Sequence, residues 1–362
     1  MCPLDWGIGH ASRCVPIVNA LRMQGWNVIV AADGRPYEFY RYEYPKQELL
    51  RFPGVEIRYP KGNSMILAMA ARVPRLVAGL RDEHNLLKKL VIETGANLVI
   101  SDNRYGCWHP HVKSVFMTHQ LNIMMPSGFE FASSLLKRIN YSFILKFDEC
   151  WIPDSEDEGG LSGRLSHCLR LPDHCHFIGP LSRLSAPLPE PAALPCPAAE
   201  IFVLLSGPEP QRSILETMLI DQLRTTSHTA IIAGGRTESD ETMIIDGRIK
   251  LFARLGSDLV KYYIQKSDHV ICRSGYSTLM DLAALGKTAI LIPTPGQTEQ
   301  EYLALRLSKM NVHYSVAQEE FQLSEALSES KGYKGLMVQN DYMVLNQRLK
   351  RLYHQAMAFR AR

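Results

Sequence analysis

The sequence predicts an α/β chain of two Rossmann-like halves, each a parallel sheet covered by helices, with a cleft between them. Three observations predict it. Short β-branched runs alternate with longer helical patterns through both halves, a Pro/Ala-rich stretch without periodicity separates them, and each half carries a glycine turn leading into a helix. Strands separated by helices lie parallel and are buried on both faces, and such sheets bind ligands outside the C-terminal ends of their strands.

In the first half the expected strands are Val28–Ala32, Val55–Tyr59, Leu98–Ser101, Ser114–Thr118 and Cys150–Ile152, with helical patterns over Ala68–Glu93 and Ala132–Phe147. The turn Gly7-Ile8-Gly9-His10 runs into a helix with apolar Val15, Ile17, Val18 and Leu21. Only Met1–Leu4 precede that turn, so the first strand of this half is expected to be missing or to start upstream. Residues 183–199, rich in proline and alanine, read as a stiff linker. The second half repeats the alternation with Ile201–Leu205, Thr229–Ala233, Ile249–Phe252, His269–Cys272 and Ala289–Ile292, and a last helix over about 340–357 is placed to cross back onto the first half. The expected division is therefore 1–182, a linker at 183–199, 200–338, and a terminal helix within 339–362.

Composition narrows the function classes. With 362 residues the chain is long enough for two ordinary domains, and 46% hydrophobic with 21% charged residues excludes extended disorder. A formal charge of +3 gives no electrostatic case for nucleic acid. No run reaches the roughly 18 apolar residues of a membrane span, and no signal peptide is visible. Eight scattered cysteines fit reduced thiols in a cytosol. His167, Cys168, His174, Cys175 and His176 are metal-ligand types at close range, but they lack a C-x-x-C pair and read as a loop. The segment Met65–Arg81 is apolar and basic; it reads as an amphipathic core helix, with peripheral contact to a membrane as the alternative.

The chemistry concentrates in His269–Ala304. A buried run ends in Arg273-Ser274-Gly275, a helix follows with Leu279, Leu282, Ala283 and Leu285 on one side, and Gly286 closes it before a second strand that stops at Pro293. A strand entering a helix through such a turn aims free N–H groups and the positive dipole end at whatever sits above, which suits a diphosphate. Gly7 and Gly9 likewise allow close backbone approach, with His10 at the start of the helix.

These residues resemble a known family. Gly7-Ile8-Gly9-His10-x-x-Arg13 and the block Arg273-Ser274-Gly275, Asp281, Pro293 and Gln300 look like the inverting GT-B glycosyltransferases of family 28, which include the N-acetylglucosaminyltransferase of the lipid-linked peptidoglycan precursor and plant galactolipid synthases. The resemblance is closer still to uncharacterised family-28-like proteins common in Bacteroidetes, on the motifs Pro3–His10, Ser101–Gly106, Thr118–Gln120 and Ser206–Arg212.

The resemblance implies a UDP-sugar donor held by the second half. Arg273, Ser274, Gly275, Ser277 and Thr278 match the positions around its diphosphate, together with Gly7, Gly9 and Arg13 from the first turn. Asp281 stands where a family acid, commonly Glu, receives the ribose hydroxyls; it also fits the third position of a capping box with Thr278. Gln300 matches a glutamine that touches the donor sugar. Glu301 follows where the peptidoglycan enzyme has a second Gln, which argues against N-acetylglucosamine. Ser206 and Gly207 form the turn after the first strand of this half, and Arg212 is either a bidentate phosphate ligand or an exposed helix-start arginine.

Inverting transfer needs a base for the acceptor hydroxyl and a stabiliser for the departing diphosphate. GT-B enzymes use no metal for that step, no Asp-x-Asp motif is present, and no cofactor is expected besides the UDP-sugar co-substrate. The candidate bases are His10, first in order, Asp102 and His119, while Asn103, Gln120 and Asn122 are expected on the acceptor side. Asp102 also fits a helix cap or a salt bridge to Arg104.

The expected partners are a nucleotide-sugar donor and a hydroxyl acceptor, lipid-linked or a surface-glycan precursor. The expected location is the cytoplasm or the inner face of the plasma membrane. Two other readings stay open: a UDP-sugar hydrolase on the same fold, and a nucleotide-sugar-binding partner without activity. A nicotinamide-dependent dehydrogenase fits poorly, because neither turn has the third glycine.

Overall fold

The structure is a computed structural model that describes the chain apart from residues 55–72, 125–132, 158, 168–170, 186–187, 189–190, 192, 339–341 and 361–362. It divides into two compact units: Met1–Trp6, Arg13–Leu181 and Asn340–Arg362 form one, and Gly7–Ser12 with Ser182–Gln339 form the other.

The first unit contains β1 (Cys2–Pro3), α1 (Ile8–Met23, from Arg13 onward), β2 (Ile29–Ala32), α2 (Gly34–Glu43), β3 (Glu48–Arg51), α3 (Val73–Thr94), β4 (Leu98–Asp102), β5 (Lys113–Met117), α4 (Ser133–Ile144), β6 (Glu149–Ile152) and β7 (Cys175–Phe177). Strands β1, β4, β5, β6 and β7 pair in that order, all parallel, and β2 pairs with β3.

The expectation of a missing first strand is corrected here. Cys2 and Pro3 pair with Ser101 and Asp102 of β4. Met1 joins the same strand to β2: its ammonium donates to Ile29 O at 2.8 Å, and Ala31 N donates to Met1 O at 2.9 Å. Two residues suffice because each side of them is hydrogen-bonded. A cavity of about 360 Å³ lies beside Met1, with Val28, Leu87, Val91 and Leu98 among its lining residues. Strand β3, missed by the apolar pattern, has a first and last residue exposed and its middle two half-buried, whereas the expected strand at 55–59 lies outside the described residues.

The second unit contains β8 (Ile201–Leu204), α5 (Gln211–Arg224), β9 (Ala230–Ala233), β10 (Thr242–Ile245), β11 (Ile249–Phe252), α6 (Ser257–Lys266), β12 (His269–Cys272), α7 (Tyr276–Leu285), β13 (Ile290–Leu291), α8 (Thr298–Lys309), β14 (Tyr314–Ser315) and α9 (Leu323–Glu329). Its sheet runs β10-β11-β9-β8-β12-β13-β14, parallel except for the antiparallel edge strand β10. Chain order reverses between β8 and β12, so the turns after these two strands open a crevice, the usual ligand position in such sheets. Ile201, Val203, Ile232, Leu251, Ile271 and Ile290 are buried at the centre against Leu215, Leu219 and Leu223 of α5. Each such side chain contributes about 1.5–3 kcal/mol by burial. Part of the proline-rich stretch is packed rather than free: Leu184 and Cys196 are buried, and Tyr263 Oη donates to Cys196 O at 2.9 Å.

The last helix, α10 (Met343–Arg360), is counted with the first unit. There Gln24 Nε2 donates to Asn346 O at 3.3 Å, and Tyr353 meets Trp26 edge-on at 5.4 Å between ring centroids. Of the segment Met65–Arg81, with its alternative of membrane contact, residues 65–72 lie outside the described residues and residues 73–81 open α3. Among those described, no helix is long and apolar enough to cross a membrane.

One buried group gives a pH prediction. His313 is 2% exposed, its Nδ1 accepts Ala289 N at 3.2 Å, and burial lowers its pKa from the ordinary 6.5 to about 4. Below pH 6.5 the unfolded chain takes up a proton that the folded chain refuses. Stability contributed by this group is therefore complete above 6.5 and falls with pH, by about 1.4 kcal/mol per unit, until about pH 4. Urea titrations at pH 7 and 5 are expected to show a shallower acid-side loss in His313→Asn than in the wild type. Equal losses would mean that His313 is not the group responsible.

Candidate functional site

In the second unit the site is built around the start of α7. Gly275 is its N-cap residue and makes no side-chain cap, and Tyr276, Ser277 and Thr278 form the first turn. A Cβ built on Gly275 would meet no atom within 4 Å, so the approach is open. At the other end Gly286, with φ of 60°, closes the helix by donating to Ala283 O and Leu282 O, as the sequence requires.

The turn Gly7–Ser12 lies on this helix start. Ser277 Oγ donates to Gly9 O at 2.8 Å, and Ser12 Oγ donates to the same carbonyl at 3.0 Å. A Cβ on Gly9 would lie 3.1 Å from Ser277 Oγ, which explains why a glycine suits that position. His10, the next residue, is half-buried at the beginning of α1. On the far side Ser274 Oγ donates to Gln300 O at 2.8 Å and Gln300 Oε1 accepts Thr294 N at 2.9 Å. Glu301 Oε1 accepts Gly296 N at 2.8 Å. Gln300 and Glu301 thus shape the loop before α8, and among the described residues nothing accepts from Gln300 Nε2.

Ser277, Thr278 and Asp281 share one face of α7 at helical spacing. The capping-box alternative for Asp281 fails, because its Oδ1 accepts Ser182 Oγ at 2.5 Å and the helix has no side-chain cap. Ser182 itself was not foreseen: it stands 99 residues away in sequence, and nothing local marks it. Ser206 and Gly207 form the turn after β8, where φ of 103° requires the glycine.

Two arginines are corrected. Arg273 does not present its guanidinium to the turn. It is fully buried, with Nη1 donating to Ile292 O and Pro293 O at 3.1 and 3.0 Å, and Nη2 to Gln211 O at 3.0 Å and Gln318 Oε1 at 2.6 Å. Burial draws its pKa down to about 10, so it stays cationic at neutral pH and ties three loops together. Arg212 is not the exposed helix-start arginine of one reading but is buried among internal partners. Its Nε donates to Glu209 Oε1 at 2.7 Å, and its Nη1 to Glu216 Oε2 at 2.9 Å and Gly234 O at 3.1 Å. Arg273→Ala is expected to cost the second unit about 2–3 kcal/mol, since it leaves buried carbonyls unpaired. Chemical denaturation with nucleotide absent measures this; unchanged stability would return Arg273 to a purely ligand-facing role.

In the first unit Arg13, Asp102 and His119 form one buried group, 2%, 0% and 3% exposed. Arg13 Nε donates to Asp102 Oδ2 at 2.8 Å, its Nη2 pairs with Oδ1, and its Nη1 donates to His119 Nδ1 at 3.1 Å. Cys14 Sγ also donates to Asp102 Oδ2, and burial beside that carboxylate keeps it a thiol. This corrects three expectations. Arg13 is held by Asp102 rather than offered to a donor, Asp102 is sealed as a carboxylate, and its partner is Arg13 rather than Arg104. Arg104 instead pairs with Glu83 at 2.7 Å. His119 accepts through Nδ1, so in its neutral form the proton sits on Nε2 and the ring offers a donor there.

Asn103 follows β4 in the left-handed region with φ of 56°. Gln120 O accepts Asn140 Nδ2 at 3.1 Å, so Asn140, another residue not foreseen, holds the loop after β5. Asn122 Nδ2 donates to Arg164 O at 3.3 Å. Of the His/Cys cluster, His167 bonds Asp154 Oδ2 at 3.2 Å, and Cys168 lies outside the described residues. Among the described residues no three such groups are placed to hold a metal.

Residues 236–335 match the glycosyltransferase family 28 C-terminal domain. The resemblance to family 28 is thus confined to that part of the second unit, and the chain has the GT-B fold. Over 64 residues it is 44% identical to the UDP-N-acetylglucosamine–N-acetylmuramyl-(pentapeptide) pyrophosphoryl-undecaprenol N-acetylglucosamine transferase of Lawsonia intracellularis, a match spanning 18% of this chain and 14% of that protein. Among solved structures, this chain is similar to the glycosyltransferase SnogD from Streptomyces nogalater, with a TM-score of 0.59, 14% identity, and 97% and 93% of the two chains covered. It is also similar to the spinosyn rhamnosyltransferase SpnG complexed with thymidine diphosphate (TM-score 0.58, 12% identity, 99% and 95% covered). MurG of Acinetobacter baumannii gives a TM-score of 0.53 at 11% identity, with 97% and 98% covered. At these identities the solved structures speak for the fold.

Proposed function

We propose that this family-28-like chain transfers a sugar from a nucleotide-sugar donor, in the first instance a UDP-sugar, to a hydroxyl acceptor by an inverting, metal-independent route. The observation that carries the reading is the uncapped start of α7, with the turn bearing His10 strapped onto it through Ser277 and Gly9. The match to a family 28 domain across this helix supports it, as do a peptidoglycan N-acetylglucosamine transferase and a thymidine diphosphate complex among the similar proteins.

In this reading the N–H groups of Tyr276, Ser277 and Thr278 receive the donor diphosphate, and the helix dipole stabilises the charge that grows on it. His10 takes the proton of the acceptor hydroxyl. The acceptor oxygen then attacks the anomeric carbon from the face opposite the diphosphate, and the bond to the diphosphate breaks with its electron pair leaving on UDP. Gln300, with its free Nε2, faces the sugar. Asn103 and Gln120 serve the acceptor side, which we place at a lipid-linked or surface-glycan precursor.

Calorimetric titration with UDP, GDP, dTDP and ADP tests the donor half of this reading, and release of UDP from UDP-sugars with and without candidate acceptors tests the reaction. Turnover that needs an acceptor supports transfer, and equal turnover without one assigns a hydrolase. Failure of every nucleotide to bind a folded sample would overturn the donor assignment.

A further inference from the structure

The described cysteines are all free, and two of them, Cys150 and Cys175, face each other on neighbouring strands. Cys150 of β6 and Cys175 of β7 are register partners in a parallel ladder, so their side chains leave the same face of the sheet. Paired strands lie about 4.8 Å apart, inside the roughly 4.4–6.8 Å between Cα atoms that a disulfide spans. The two thiols already share a hydrogen bond, within an apolar cluster that also holds Phe116, Ile144 and Phe147.

The two sulfurs are not equivalent. The Cys150 S–H donates to the Cys175 sulfur, which holds the Cys175 thiol below its ordinary range against the opposing effect of burial. Cys150 is 0% exposed, whereas Cys175 sits on the last strand of its sheet and is 8% exposed. Cys175 is therefore the better nucleophile and the sulfur a small oxidant reaches, with Cys150 behind it as the resolving thiol. Cys2 and Cys107 also share a hydrogen bond, but they are not register partners and are 3% and 0% exposed.

We propose that Cys150 and Cys175 form a reversible redox pair, oxidised to a cross-strand disulfide by hydrogen peroxide. The Cys175 thiolate attacks one peroxide oxygen, the O–O bond breaks, and hydroxide leaves with the electron pair, giving a sulfenic acid. Cys150 then attacks that sulfur, and the sulfenic hydroxyl departs with the Cys150 proton as water. The hydroxide of the first step takes up the proton that Cys175 released. Two thiols thus lose two electrons, and one peroxide becomes two waters. The link closes the ends of the connection 153–174, in which Leu165 O accepts Asn122 N at 2.9 Å and Arg164 O accepts Asn122 Nδ2 at 3.3 Å. Oxidation fixes the base of the segment that holds Asn122, and nothing in this chemistry depends on the donor site.

The test treats the full chain, freed of reductant, with hydrogen peroxide, then alkylates it under denaturing conditions and maps its peptides by mass spectrometry. A Cys150–Cys175 linked peptide is expected, lost again on treatment with dithiothreitol. In Cys150→Ala the sulfenic acid is expected to persist on Cys175, where dimedone traps it. Hydrogen exchange of the Cys175–Phe177 amides is expected to slow by about tenfold or more in the oxidised chain, because β7 can no longer part from β6. Recovery of both residues as alkylated thiols after peroxide overturns the inference, as does a link from Cys175 to any other cysteine. Dimedone on Cys150 in Cys175→Ala, with none on Cys175 in Cys150→Ala, overturns the order of attack. The wild-type map needs no variant to fold.

Discussion

Arg13→Met is expected to destabilise the first unit by about 3–5 kcal/mol, because it leaves the Asp102 carboxylate charged, fully buried and without its guanidinium. The loss comes from desolvation: the pair offsets the cost of removing both charges from water, and one partner alone cannot. Removing both charges together is much less harmful, since apolar side chains of similar volume often replace a buried ion pair at little cost. The double variant Arg13→Met/Asp102→Leu is therefore expected to be more stable than Arg13→Met. Urea unfolding of the wild type, the two single variants and the double variant measures the coupling. A single-variant loss below about 1 kcal/mol, the scale of a surface pair, would show that the pair is not desolvated in solution.

His10→Ala is expected to lower turnover by about 10²–10⁴-fold, the range lost when a positioned acid–base group is removed. Nucleotide affinity should change far less, because the N–H groups at the start of α7 are untouched by the substitution. UDP release under saturating donor, paired with a calorimetric measurement of UDP binding, separates the two effects. A turnover within about threefold of wild type would remove His10 as the base and return the role to a residue of the first unit. Of those, Asp102 is ill suited, with both oxygens engaged by Arg13, and His119 presents a donor rather than an acceptor at Nε2.

The elements that were legible in the sequence are those whose signal is local. Ile201–Leu204, Ala230–Ala233 and His269–Cys272 are continuous apolar runs, and burial on both faces of a parallel sheet demands that pattern. Gly286 stops α7 because a left-handed residue is needed there. The strands that escaped, Glu48–Arg51, Thr242–Ile245 and Tyr314–Ser315, are partly or largely exposed or very short, so no apolar run announces them. The first strand escaped for another reason. Cys2 and Pro3 look too few to form one, and only their neighbours β2 and β4 make them a strand.

For the site, the sequence alone determined that strand β12, a glycine turn and the start of α7 follow one another, because the three are contiguous in the chain. It also determined that Gly9 and His10 open a helix. It did not determine where the charged side chains end up. Arg273, Arg212, Arg13 and Asp102 have the residue types of ligand contacts, yet each is spent on an internal partner. Ser182, which takes an oxygen of Asp281, was invisible. A charge in a sequence carries no mark of its partner; only the tertiary structure decided these pairings, since desolvation makes a buried charge seek whatever opposite charge or carbonyl the fold brings within reach.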